Sequence, residues 1–351
     1  MTEFLTIPEI IRAAEEKLPR HLWDFASGGA DTETTLRRNR VALERLALCQ
    51  RVLVDVRERD TSTTFLGKRL STPVMLAPVG SLGNFHPDAS LAVARVAERA
   101  GTVAFISTVS PPSLEEVAAG VSSPLVFQLY NYGDRDWVKR IVRRVEAAGY
   151  FALCITADVA MYGRRDRDLE NRYFPRQAME TRPNLVDVVG GLPAVQRNQA
   201  GLSWDYLAWL RDITRLPLIL KGVMMADDAA RAVEHGVDCV YVSNHGGRQL
   251  DHAPATIEVL PEIVQAIAGH AEVLVDSGFV RGTDVVKGLA IGATAVLIGK
   301  LLMWGLGADG EEGLARALEL LTTEIDVAMA LIGARSLSEI GPHVLRASTP
   351  L

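Results

Sequence analysis

His245 and Arg248 stand three positions apart in the stretch Ser243-Asn244-His245-Gly246-Gly247-Arg248-Gln249. A neutral imidazole can take a proton, and a guanidinium can hold a carboxylate through two parallel hydrogen bonds. Together they suggest a base beside an anion clamp. A lone histidine in a glycine-rich turn is ordinarily a solvated surface residue. The pair therefore carries weight only if the chain builds a cavity around it.

The elements that would build it recur along the chain. Cys239 to Val242, just before the motif, is an apolar run suited to a buried strand. Similar runs occur at Val74–Ala77, Val103–Ser107, Leu125–Tyr130, Ala152–Thr156, Leu218–Lys221, Cys239–Ser243, Val273–Asp276 and Ala295–Gly299. Amphipathic stretches at 88–100, 113–119, 134–148, 203–213, 226–235, 256–268 and 282–291 separate most of them. Eight strands alternating with helices predict a (β/α)8 TIM barrel, an α/β fold, in preference to a doubly wound open sheet. Polar or special residues end nearly every run: Pro78, Ser107, Gln128 with Tyr130, Thr156 with Asp158, Lys221, His245, Asp276 and Gly299-Lys300. A barrel brings all of these ends to one mouth, whereas an open sheet gathers only a few at its switch point.

The rest of the chain frames a single domain. Residues 1–70 read as an N-terminal extension with helices over Ile7–Leu18 and Thr34–Leu46, then an irregular strand to Phe65 and a turn at Leu66-Gly67-Lys68. The barrel runs over 71–332 and closes with a helix over Ala308–Ile332. Residues 333–351 read as a surface tail. The longest interval, 159–216, follows the fourth strand and holds Arg164, Arg165, Arg167 and Arg172 before a loose stretch from Arg176 to Gly201. A loop of that length in a compact domain commonly covers a site.

The 351 residues are 48% hydrophobic and 23% charged, with a net charge of -6 and mixed signs, which argues against a nucleic-acid partner. Cys49, Cys154 and Cys239 share no metal-binding or redox spacing and suit reduced, buried thiols in a reducing cytoplasm. No metal site is expected. Met1 to Pro19 lacks the basic start and apolar core of a signal peptide, and no apolar run is long enough to span a bilayer.

With these motifs in order, the chain resembles the FMN-dependent 2-hydroxy-acid oxidase and dehydrogenase family, which includes glycolate, lactate and hydroxymandelate oxidases. The resemblance rests on Ser243 to Asp251, supported by Ala77-Pro78-Val79, Gln128-Leu129-Tyr130, Thr156-Ala157-Asp158, Gly163-Arg164-Arg165, Leu220-Lys221-Gly222 and Arg281-Gly282-Thr283-Asp284-Val285. It implies that His245 is the base and that Asp158 orients it and stabilises its protonated form. Arg165 and Arg248 would hold the substrate carboxylate, and Tyr130 would bond to a substrate oxygen. Lys221 would lie against the pyrimidine side of the flavin, whose reduced, anionic form a fixed positive charge stabilises. Ser107, Gln128 and Thr156 would meet the ring edge, and Pro78, Val79 and Gly80 would present main chain to it. Asp276, Ser277, Gly278, Arg281, Gly299 and Lys300 would receive the ribityl-phosphate end, where barrels commonly bind phosphate.

The chain departs from the family pattern at several positions. Phe25 stands where glycolate oxidase has a substrate-binding tyrosine, and hydroxymandelate oxidases resemble this chain there. Val109 replaces a bulky tryptophan. Val280 stands where the family carries a phosphate-binding arginine, and Lys300 stands in place of a second arginine without its planar fork. The first pair predicts a roomier, more apolar substrate pocket, and the second predicts weaker FMN retention. The implied activity is oxidation of an L-2-hydroxy acid to the 2-oxo acid. The charged Arg176, Glu180, Arg182, Asp187 and Arg197 in the long loop argue against a membrane anchor, which favours O2 as acceptor and H2O2 as product. Oxidative decarboxylation, a soluble electron acceptor in place of O2, and a flavin-poor binding protein are the alternatives. The resemblance also implies a homotetramer.

Overall fold

In the computed structural model, which describes residues 4–174, 182–186, 188 and 191–348, the predicted strands close into a parallel barrel. In chain order they are Val74–Leu76, Ala104–Ser107, Leu125–Leu129, Ala152–Thr156, Leu218–Val223, Cys239–Val242, Glu272–Val275 and Ala295–Ile298. Each pairs in parallel with its sequence neighbours, and the last pairs with the first. Both faces of each strand are covered, so the runs are mainly apolar rather than alternating, with polar residues concentrated at the strand ends. Met75, Phe105, Val126, Cys154, Ile219, Tyr241 and Leu274 belong to a cluster filling the barrel interior, and their neighbours Leu76, Ile106, Phe127, Ile155, Leu220, Val242 and Val275 pack with the helices. The period-2 geometry of a strand produces this division.

Several elements go beyond the sequence reading. Arg20–Ser27 is a helix, with Leu22, Phe25 and Ala26 buried. Thr63–Phe65 and Lys68–Leu70 form an antiparallel hairpin around the predicted turn. Its Phe65 and Leu70 are buried in the interior cluster, so the hairpin plugs the end of the barrel where the strands begin. The tail is also not simply surface, because Leu345–Ala347 pairs with Leu46–Leu48 and ties the chain's two ends together. The helical segment Lys300–Ile332 breaks where Asp309 and Gly310 leave helical geometry, so its second part is the predicted C-terminal helix and the part beginning at Lys300 is an additional helix.

The long interval contains helices Asp166–Glu170, Gly191–Ala200 and Trp204–Ile213, so the stretch predicted to be loose from Arg176 to Gly201 includes a helix at its end. Arg176, Glu180 and Asp187 lie outside the described residues. Among the described residues, no helix is long and apolar enough to cross a membrane.

Candidate active site

The strand ends meet at one cavity. Its walls include Phe25, Pro78, Val79, Gly80, Val109, Tyr130, Arg165, Lys221, His245, Arg248, Asp276, Ser277, Gly278, Gly299 and Lys300. Most of the predicted site residues are therefore brought together. His245 follows the sixth strand in the left-handed region, at φ 59°. That conformation turns its ring back over the barrel, with Nδ1 3.1 and 3.2 Å from the two carboxylate oxygens of Asp158. Gly222 makes room for this pairing. At φ 104° it favours glycine, and a Cβ there would come 2.5 Å from the Asp158 Cβ.

The electrostatics suit a base. Burial holds His245 below the ordinary imidazole range, although Asp158 opposes it. Its free form is therefore neutral at neutral pH. Burial also disfavours charge on Asp158, but Lys221 and His245 outweigh it and keep the carboxyl below its usual value. Lys221 donates to Ser243 Oγ at 3.0 Å and lies 3.8 Å from Asp158. Burial works against its charge, yet Asp158 and Asp276 raise its pKa above the ordinary lysine value. The result is a buried ammonium at the cavity wall, fixed by an anion behind it.

Two arginines, Arg165 and Arg248, reach the cavity from two directions. Arg165 stacks on Tyr162, 4.0 Å from ring centroid to guanidinium carbon, and also donates from Nη1 to the Tyr162 hydroxyl. Its Nε donates to the Arg248 carbonyl at 3.3 Å. Arg248 lies over the Phe25 ring at 4.7 Å and donates to the carbonyls of Phe25 and Gly28. Burial, then the charge of Arg165, pulls its pKa down to about 10. Two buried guanidiniums so close together favour an anion between them. Tyr130 stacks on Tyr132 at 5.2 Å, and burial raises its pKa well above the usual phenol range, so it can donate a hydrogen bond. Phe25 is backed by the rings of Phe85 and Tyr173, at 6.3 and 5.5 Å, and lines the cavity together with Tyr130, Tyr132 and Tyr162.

The residues assigned to the flavin divide into three groups. Pro78, Val79 and Gly80 line the cavity, and a Cβ on Gly80 would come 2.7 Å from Val109. Ser107, Gln128 and Thr156 lie just beneath, joined as Ser107 Oγ to Gln128 Oε1 at 2.6 Å and Gln128 Nε2 to Thr156 Oγ1 at 2.8 Å. A cavity bordered by Pro78, Val79 and Gly80, with this buried polar chain behind the strand ends and the Lys221 ammonium at its wall, suits a flavin ring. At the far end, Asp276 accepts from Tyr241 at 2.8 Å and from Ser277 Oγ at 2.7 Å, and Gly278, Gly299 and Lys300 stay at the wall.

Arg281 is the exception. It does not border the cavity: its guanidinium pairs with Glu324 at 2.7 Å on the outer side of the fold. Adjacent residues at the start of a helix project in different directions, and Glu324 on the C-terminal helix captures this one. Nor is the helix start open to an anion, because Asp284 accepts from the backbone N–H groups of Val280 and Arg281 at 3.1 and 3.0 Å. Lys300 directs its ammonium to the carbonyls of Ala26, Ser27 and Gly28, at 3.2, 3.1 and 2.7 Å.

Several residues without a predicted role hold the site. Gln249 donates to the carbonyls of Asp158 and Met161 at 2.9 and 2.8 Å, fastening the Asp158 loop to the His245 loop. Its place in the motif was visible in the sequence, but its partners were not. Asn39 and Asn244 exchange hydrogen bonds at 3.0 and 2.8 Å, across 205 residues of sequence. Arg40 and Arg182 also border the cavity. Among the described residues, His86, Asp88 and Glu311 could bring metal-ligating atoms within 4.8 Å of one another, but Arg95 already bridges the two carboxylates at 2.7 and 3.0 Å.

Known proteins with this architecture are numerous. A family model described as FMN-dependent dehydrogenase matches residues 14–347. An L-lactate oxidase from Nostoc sp. is 44% identical over 354 residues, covering 96% of this chain and 96% of its own. A soluble mutant of the membrane-associated (S)-mandelate dehydrogenase from Pseudomonas putida superposes with a TM-score of 0.92 at 37% identity, over 99% of this chain and 100% of its own. A mandelate oxidase solved with (S)-2-phenylpropionate gives a TM-score of 0.87 at 41% identity, over 98% of each chain.

Proposed function

Because the chain belongs to the FMN-dependent dehydrogenase family, we propose that its cavity oxidises L-2-hydroxy acids with an aromatic side chain. The chain is an FMN-dependent 2-hydroxy-acid oxidase, and the finer reading concerns substrate and residue roles. One observation carries it: the His245–Asp158 pair and two buried guanidiniums meet at a cavity whose lining includes Phe25, Tyr130, Tyr132 and Tyr162.

The substrate carboxylate sits between Arg165 and Arg248, where charge-assisted hydrogen bonds fix its orientation. Tyr130 donates to the substrate oxygen. His245, neutral before reaction, accepts the proton released as the α-carbon is oxidised, and Asp158 stabilises the imidazolium that results. FMN, when bound, would supply the acceptor for the two electrons and the second hydrogen of the substrate, and O2 taking up two electrons and both protons would give H2O2. Lys221 holds a positive charge beside the ring position. The side chain of the substrate faces Phe25 and Val109, and each buried methylene-sized group contributes about 0.8 kcal/mol there. The reading extends to a homotetramer, implied by the sequence resemblance and tested by sedimentation, and to a cytoplasmic location, suggested by the three free cysteines and tested by fractionation.

The test is anaerobic bleaching of the bound flavin by a panel of small, aliphatic and aromatic 2-hydroxy acids, with products identified after air is admitted. Mandelate-like acids are expected to reduce the flavin more efficiently than glycolate and to yield the 2-oxo acid with H2O2. Higher efficiency with glycolate would overturn the aromatic assignment. Recovery of a carboxylic acid one carbon shorter, with CO2, would make the reaction an oxidative decarboxylation.

A further inference from the structure

We propose that Arg40, on the N-terminal helix Thr34–Glu44, is the arginine that binds the cofactor phosphate in this chain. The proposal rests on the FMN reading. Val280 supplies no charge at the position after Phe279, and the two nearby cations from the barrel itself are already committed. Arg281 is paired with Glu324 outside the cavity. An ammonium has three N–H donors, and Lys300 directs its ammonium to three carbonyls. The amides of Val280, Arg281 and Gly282 also have carboxylate partners, in Asp284 and Glu324.

Arg40 borders the cavity together with Gly278, Phe279, Val280, Gly299 and Lys300, at the end where the loops after the seventh and eighth strands meet. One nitrogen, Nη1, anchors it, donating to the Gly278 carbonyl at 2.6 Å and to Asp284 at 2.5 Å. A guanidinium carries five N–H donors. Nη2 lies 3.7 Å from Glu44, beyond hydrogen-bond distance, and Nε has no hydrogen-bond partner among the described residues. Its side chain is 32% exposed, so it can reach an anion entering from the cavity. Arg40 thus combines a fixed position with free donors in a planar fork, the arrangement that suits phosphate. Asp284 holds the loop amides and the anchored edge of Arg40 at once, which fixes the guanidinium relative to Gly278.

The apoprotein is titrated with FMN and with riboflavin, which lacks the phosphate, by following quenching of flavin fluorescence. Arg40→Gln is expected to weaken FMN binding about tenfold or more while leaving riboflavin binding unchanged, since one charge-assisted contact is lost. Arg281→Gln is expected to change neither. Val280→Arg added to Arg40→Gln is expected to recover FMN binding. If Arg40→Gln weakens both flavins equally, its role is structural and the proposal fails. It fails equally if FMN binding is unchanged, or if Arg281→Gln lowers the preference for FMN over riboflavin. Should Arg40→Gln not fold, Arg40→Lys decides: a reduced preference for FMN supports the proposal, and an unaltered one overturns it. Wild-type protein that binds neither flavin would instead defeat the cofactor reading itself.

Discussion

At the scale of single residues, the site is an arrangement of charges that keep one another in place. His245 is neutral because it is buried, and it is ready to be charged because Asp158 lies 3.1 Å away. His245→Ala is expected to lower the rate of flavin reduction by about 10²–10⁴-fold or more, with the flavin spectrum and fold retained. Anaerobic stopped-flow with the preferred acid measures this, and near-wild-type bleaching would remove His245 from its role. Asp158→Asn makes a separate prediction. The base works when neutral, so kcat/KM rises with pH through the His245 pKa, which lies below the ordinary 6.5. Asp158 raises that pKa, so its loss should move the acid limb to still lower pH. The plateau should fall roughly 10- to 100-fold as a charge-assisted bond to the imidazolium disappears. An acid limb that moves upward would contradict the assigned pairing.

At the scale of elements, two helices outside the barrel rhythm set the shape of the site. The carbonyls at the end of Arg20–Ser27 accept from Arg248 and Lys300, and the Arg248 charge complements the helix dipole there. This holds Phe25 against the cavity. Helix Thr34–Glu44 brings Asn39 to Asn244 and Arg40 to Gly278. It is held by Asp251, whose carboxylate accepts from the N–H groups of Thr32 and Thr35 at 3.0 and 2.7 Å and from the Thr32 hydroxyl at 2.7 Å. Asp251→Ala leaves those donors unmet and should cost about 1.5–3 kcal/mol, read as a lower urea midpoint with unchanged slope. FMN affinity should fall with it, because the same helix carries Arg40. Unchanged stability would show that water replaces the carboxylate without loss.

At the scale of the molecule, the barrel has a chemical end and a structural end. The strands finish at the cavity, while Thr63–Phe65 and Lys68–Leu70 close the other end. Leu66 N–H bonds to Glu272 at 2.9 Å, beside the start of the seventh strand, and Phe65 packs against Phe151 just before the fourth. Phe65 is fully buried. Phe65→Ala should therefore destabilise the protein by about 3–5 kcal/mol while leaving kcat per folded molecule near its wild-type value. Denaturant unfolding and flavin-normalised turnover separate the two quantities. A large fall in kcat would mean that the ends of the barrel are mechanically coupled.

The sequence by itself determined the barrel and most of its mouth. Apolar runs of strand length between amphipathic stretches are local signals, and a parallel barrel puts the residue after each run on the same face whatever the helices do in detail. His245, Arg248, Asp158, Lys221 and Asp276 could thus be placed from their positions alone, whereas Gly278 entered through the family resemblance. Tertiary structure decided which charges meet. Arg281 follows Val280 directly, yet Glu324 on the C-terminal helix takes it away. Arg40 lies 238 residues before Gly278 and reaches its carbonyl. The pairings of Asn39 with Asn244 and of Leu46–Leu48 with Leu345–Ala347 are equally remote. A side chain's direction at a helix end and its nearest opposite charge depend on how separate elements pack. No periodicity within one element encodes that packing, so it appears only once the closed barrel brings the elements together.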